Sequence, residues 1–128
     1  MNPVKVKYEQ GKLRQEVYVG RHHLIADEPV EDGGEDLGPS PFDFLGAALA
    51  TCTAITLRMY AQHKSWPLEN AEITVTTRRE KDGTYLSRKI QLVGNLDQTQ
   101  RTRLMDIANH CPVHKTLTGK IEIQTELV

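Results

Sequence analysis

From Phe42 to Leu57 the chain carries one charge, Asp43, among Phe, Leu, Ala, Ile, Gly, Thr and Cys. Ser40 suits an N-cap, Pro41 suits the first helical position, and Asp43 stands three residues after the cap. That approximates a capping box, with Asp in place of the usual Glu or Gln. A helix is predicted from Pro41 to about Lys64, stopping before Pro67 because a residue preceding proline disfavours the helical region. Its length would be about 36 Å at the usual rise per residue. A helix apolar on nearly all sides must be covered on nearly all sides. A chain of 128 residues has difficulty doing so alone. An obligate homodimer is therefore expected, with Gly46, Ala47, Ala48 and Ala50 letting neighbouring backbones approach closely. The alternative is a monomer whose sheet covers one face and whose other helix covers the rest.

Around this helix the pattern changes period. Val4 to Tyr8 alternates apolar and charged, Val17 to Val19 resumes strand character, and His23 to Ala26 reads as a third short strand. Together they predict an antiparallel meander. Asp27 to Ser40 is an acidic loop rich in Gly and Pro, long enough to be functional or simply a surface connection. Ala71 to Arg79 alternates, Lys81-Asp82-Gly83 carries a hairpin signal, and Tyr85 to Val93 returns as a strand. A second helix is predicted over Leu96 to Asn109 and a short one from Pro112 through Leu117, ended by Gly119. Ile121 to Val128 alternates and reads as a closing strand. The order β-β-β-α-β-β-α-α-β is that of a single α+β domain over 1–128.

Composition excludes several classes. Sixteen Lys+Arg against 17 Asp+Glu give a net charge of -1, so no basic field marks a nucleic-acid binder. No apolar run reaches the roughly 18 residues of a membrane span, so a transmembrane protein is excluded and no membrane partner is expected. The N-terminal MNPVKVKYEQGK lacks the apolar centre of a signal peptide, so the expected compartment is the cytoplasm. There, paired thiols are more often catalytic or metal-binding than structural.

The chain has two cysteines. Cys52 falls in the middle of the apolar helix. Cys111 directly precedes Pro112, at the predicted start of a short helix, where backbone N–H groups and the helix dipole lower a thiol's pKa. A free Cys also packs like a small hydrophobe. The residues alone therefore leave a dithiol site and two inert core thiols both open. His110, Cys111 and His114 contain an i, i+4 histidine pair. Pro112 falls between the two histidines, no Cys-x-x-Cys is present, and no metal site is expected.

Gly38-Pro39-Ser40-Pro41-Phe42-Asp43-Phe44-Leu45, followed by Ala47-Ala48-Leu49-Ala50-Thr51-Cys52-Thr53, resembles the first cysteine motif of the OsmC/Ohr family. Asn109-His110-Cys111-Pro112-Val113-His114-Lys115-Thr116-Leu117 resembles its second. Gly20-x-His22-x-Leu24-x-Ala26-Asp27-Glu28-Pro29 is similar to a subgroup distinct from the two founding branches. The resemblance implies an OsmC-like fold, an intertwined homodimer whose sheets wrap two central Cys-bearing helices. It also implies a thiol peroxidase that reduces organic hydroperoxides in oxidative-stress defence. On that pattern Cys52 is the peroxidatic thiolate and Cys111 the resolving thiol that condenses with its sulfenic acid. An external dithiol, in the family often a lipoylated protein, then reduces the disulfide. No metal, haem or flavin is implied.

The family's best-known branches hold the peroxidatic thiolate beside an Arg from the N-terminal meander, itself held by a carboxylate near the start of the Cys helix. Here the candidates are Arg14, with Arg21 behind it, and Asp43. Asp43 lies nine residues before Cys52, about 180° around the helix. It reads equally as a capping residue, and either Arg reads as a solvated charge. Two functions remain in view. One is a dithiol peroxidase for small apolar hydroperoxides; the other is a non-catalytic dimeric module binding a small apolar or thiol-reactive ligand.

Overall fold

A computed structural model describes residues 1–128. The chain divides into two compact units, residues 1–45 and 46–128, and one helix runs unbroken through the boundary.

The first unit holds three short antiparallel strands: β1 (Val4–Lys7), β2 (Gln15–Val19) and β3 (His22–Ala26). Val17 lies opposite Val6 on one side and Leu24 on the other. Apolar side chains therefore meet across the meander, as the alternation in the sequence predicts. Gly20 turns the chain between β2 and β3 with a φ of 57°, which suits a residue without Cβ. The acidic loop that follows is a built structure. Asp27, 3% exposed, accepts backbone N–H groups from Glu28 at 2.8 Å, Glu35 at 3.3 Å and Leu37 at 3.1 Å. A single 3₁₀ turn over Val30–Asp32 fits inside this clasp. Gly34 is required there, because a Cβ would stand 2.0 Å from the Glu28 carbonyl oxygen.

The helix α1 (Pro41–Lys64) has the predicted bounds. Its capping box is real: Ser40 N–H donates to Asp43 Oδ2 at 2.9 Å, and Asp43 N–H donates to Ser40 Oγ at 3.2 Å. By length and composition α1 is apolar enough to cross a bilayer. The expectation that no apolar run reaches span length is corrected here: Asp43, the threonines and Arg58 interrupt the run but leave its mean hydropathy high. In this fold one side of α1 is buried and much of the rest is exposed. Leu57 and Ala61 are buried with Leu68, Leu96, Leu104 and Ala108 in the centre of the second unit.

The second unit continues with a long hairpin, β4 (Leu68–Glu80) and β5 (Gly83–Gly94), bulged near Leu68/Asn70. Ile73 pairs with Ile90, and Val75 lies opposite Arg88. Helix α2 (Gln98–Ala108) opens on a reciprocal capping box of Asp97 and Gln100. Arg101 on α2 has the look of a solvated charge. Instead its guanidinium donates to the carbonyls of Leu92, Gly94 and Leu96, tying α2 to the end of β5. The short helix α3 (Pro112–Thr118) follows.

One predicted element is absent. Ile121 to Val128 forms no strand, and the order ends β-β-β-α-β-β-α-α. The alternation is present in the residues, but a strand exists only when a second strand supplies its hydrogen bonds. No strand pairs with this segment, and Ile121 and Ile123 are exposed.

Two outcomes follow for stability. Leu104 is fully buried in the core, so Leu104→Ala should cost about 2–5 kcal/mol, read by denaturant unfolding. Burial alone would raise the Asp27 carboxyl, but its three N–H donors together hold it below its ordinary 3.8. The unfolded chain then binds more protons than the folded one between these two values. The contribution is present above about 3.8 and is lost as pH falls through the lower folded value. Thermal unfolding of Asp27→Asn should therefore give a lower midpoint at neutral pH and a shallower loss of stability below about pH 4.

Candidate dithiol site

Cys52 and Cys111 come together. Cys52 is half-buried on α1, and Cys111 is fully buried as the N-cap residue of α3. The local reason is the break between α2 and α3. Asn109 ends α2, Pro112 starts α3, and the cap residue between them turns its side chain inward onto α1. Both thiols are free, and Cys52 is among the groups near the Cys111 sulfur.

Three further groups surround Cys111. The His114 N–H donates to its sulfur at 3.3 Å. The hydroxyl of Thr53, fully buried on α1, stands 3.8 Å away. Thr53 donates its proton to the Leu49 carbonyl at 2.7 Å and accepts from Arg88 Nη1 at 3.0 Å. Arg88 Nη2 donates to Asn109 Oδ1 at 2.9 Å and to His114 Nδ1 at 3.1 Å. Burial pushes the Cys111 thiol up. The His114 N–H, the Cys52 and Thr53 side chains and the Arg88 charge outweigh it and bring the thiol below its ordinary value.

Arg88 is the residue that sequence reasoning missed, and the signal was present. Along β5 the half-buried positions are Leu86, Arg88, Ile90 and Leu92, and their neighbours are exposed. A charge in the apolar register of an alternating strand needs acceptors, which here come from Thr53, Asn109 and His114.

Residues 33–126 match the family model described as OsmC-like protein. The chain belongs to the OsmC family. The OsmC fold is also seen in solved structures. One, from Psychrobacter arcticus, is described as an osmotic stress induced and detoxification response protein. It is 27% identical over 91% of this chain and 88% of that one, with a TM-score of 0.77. An OsmC-like protein from Mycoplasma pneumoniae is 19% identical over 93% and 88% of the two chains, with a TM-score of 0.78. The organic hydroperoxide resistance protein OhrB of Bacillus subtilis is 19% identical over 91% of each chain, with a TM-score of 0.63. No curated protein matches the chain.

Measured against the OsmC pattern, the remaining candidates are placed as follows. Arg14, in the first unit, forms a two-pronged pair with Glu16, Nε to Oε2 at 2.9 Å and Nη2 to Oε1 at 3.0 Å. Glu16 is 2% exposed, and Arg14 holds its carboxyl well below the usual carboxylate range. A meander Arg is thus held by a carboxylate, but by one two residues on, in β2. Asp43 is occupied by the helix cap, with its Oδ2 accepting from Ser40. His110, Cys111 and His114 do not converge. His110 Nδ1 donates to the Asp106 carbonyl at 2.8 Å, while His114 Nδ1 faces Arg88.

A guanidinium only donates, so His114 Nδ1 accepts and the ring proton sits on Nε2. Nitrogen-15 NMR of the imidazoles should therefore show His114 as the Nε2–H tautomer and His110 with its proton on Nδ1. The opposite tautomer at His114 would show that the Arg88 contact does not exist in solution.

Proposed function

We propose that the protein is a dithiol peroxidase that reduces organic hydroperoxides to alcohols, with Cys52 and Cys111 as its redox pair. The observation that carries this reading is the meeting of the only two cysteines, one partly exposed and one buried, in a network that favours one thiolate. Cys52 is the half-buried sulfur, open to a substrate in a way the fully buried Cys111 is not. Membership of the OsmC family supports it, as does a likeness to proteins named for organic hydroperoxide resistance.

The chemistry balances without a metal or organic cofactor. As a thiolate, Cys52 attacks a peroxide oxygen, the O–O bond breaks, and an alkoxide leaves to take up a proton as alcohol. Cys52 is then a sulfenic acid. Cys111 as thiolate attacks that sulfur, the S–S bond forms, and hydroxide leaves and is protonated to water. Two thiols and one hydroperoxide give one disulfide, one alcohol and one water. An external dithiol, such as a lipoylated protein, restores the thiols by exchange. In this scheme Arg14, already ordered by Glu16, is the guanidinium assigned to the Cys52 thiolate. The same reading makes the protein a cytoplasmic homodimer. Ile55 and Met59 on α1 are 59% and 64% exposed in the single chain, and a second copy is the natural cover for them.

The test is stoichiometric. The reduced protein, freed of reductant, receives one equivalent per chain of cumene hydroperoxide without air. Both thiols should disappear within minutes, with the intact mass falling by two hydrogens, and Cys52→Ser should abolish the mass loss. Two thiols still titratable after that time would remove the peroxidase reading in favour of ligand binding.

A further inference from the structure

We infer that Arg88, through Thr53, Asn109 and His114, is a positioning residue that holds Cys111 as a ready thiolate, so that the resolving step is set before peroxide arrives. The inference rests on the dithiol reading above and adds to it a second cation with a separate task.

The geometry assigns the task. Arg88 has no carboxylate partner; its three contacts are all to neutral groups, Thr53, Asn109 and the His114 ring. Its positive charge is therefore uncompensated beside Cys111. A guanidinium fixed by three acceptors from three elements cannot swing away into water at little cost. The groups facing the Cys111 sulfur are the Cys52 thiol and Thr53 hydroxyl from α1, the His114 N–H from α3, and the Arg88 charge from β5. Each of them favours a negative sulfur, and none is an anion. Thr53 adds a relay. Its single proton lies toward Leu49 at 2.7 Å, and the Cys111 sulfur stands 3.8 Å from the same oxygen, where it can take that proton's hydrogen bond once it is ionised. A donation from Arg88 to the Thr53 oxygen makes that proton more acidic and strengthens the hydroxyl toward a thiolate.

The consequence lies in the fate of the sulfenic acid. A sulfenic acid that waits meets a second hydroperoxide, which adds an oxygen to give sulfinic acid and releases a second alcohol; that product is not recovered by thiols. A Cys111 already ionised attacks first. Arg88 thus governs how the chain divides sulfenic acid between disulfide and irreversible loss.

Two readouts separate this from a merely structural role. In Cys52→Ser, Cys111 is the single thiol, and its ionisation is followed by thiolate absorbance against pH, with folding checked by circular dichroism. Adding Arg88→Met should raise the Cys111 pKa by about one unit or more, and Arg88→Lys, which keeps the charge, should raise it less. In the otherwise natural chain, Arg88→Met should slow disulfide formation at neutral pH in proportion to the Cys111 thiolate fraction that the titration shows to be lost. It should also let sulfinic acid build up at Cys52 under excess cumene hydroperoxide. An unmoved Cys111 titration in folded Arg88→Met overturns the inference. If that variant does not fold, Asn109→Ala, which removes an exposed anchor of the guanidinium, must raise the same pKa, and no rise overturns it equally. If the natural chain forms no disulfide with hydroperoxide while the titration still moves, the peroxidase reading falls and the hold of Arg88 on the Cys111 thiolate stands.

Discussion

A guanidinium turned toward the interior face of a strand governs the second unit. Arg88 occupies a position in β5 where the alternation calls for an apolar side chain. Desolvating a charge costs several kcal/mol unless hydrogen bonds replace the lost water. The acceptors that replace it come from α1, from the end of α2 and from α3. The contact that satisfies Arg88 therefore also fixes three helices at one point. That point is where Cys52 leaves α1 and Cys111 caps α3. An apolar residue at position 88 would pack well enough, but it would leave Thr53, Asn109 and His114 without their shared donor.

The two sulfurs divide the requirements of a redox pair. A thiolate needs positive potential and donors, whereas contact with substrate needs exposure. Cys111 is fully buried and has the donors, while Cys52 is half-buried and has the exposure. Neither sulfur meets both needs alone. Placed near one another, they divide the two needs between them. The cost of burying Cys111 is offset only because its donors come from backbone and side chains already fixed by packing.

Much of this was legible in the residues. Alternation gave the meander and the hairpin, and Ser40, Pro41 and Pro67 bracketed α1 because capping and proline sterics are local effects. The two cysteines stood out in motifs that resemble those of the OsmC family. Three features were not legible, and each depends on a partner distant in sequence. Ile121 to Val128 has the pattern of a strand, but pattern does not supply a neighbouring strand. Arg101 has the appearance of a solvated charge, yet three carbonyls at the end of β5 claim it. Arg88 could have been noticed as a charge out of register, but its acceptors lie in three other elements. The family pattern puts the carboxylate near the start of the Cys helix, at Asp43, whereas Arg14 pairs with Glu16, two residues on in β2.

The two arginines are held by different means, and the difference bears on their tasks. Arg14 is neutralised at short range by a buried carboxylate, so it offers remaining N–H donors and geometry but little net charge. Arg88 is held by neutral acceptors and keeps its full charge. A neutralised guanidinium orients a group through hydrogen bonds while barely changing its ionisation. An unneutralised one shifts the ionisation of whatever lies near it. A standing thiolate at the resolving sulfur calls for the second kind of arginine.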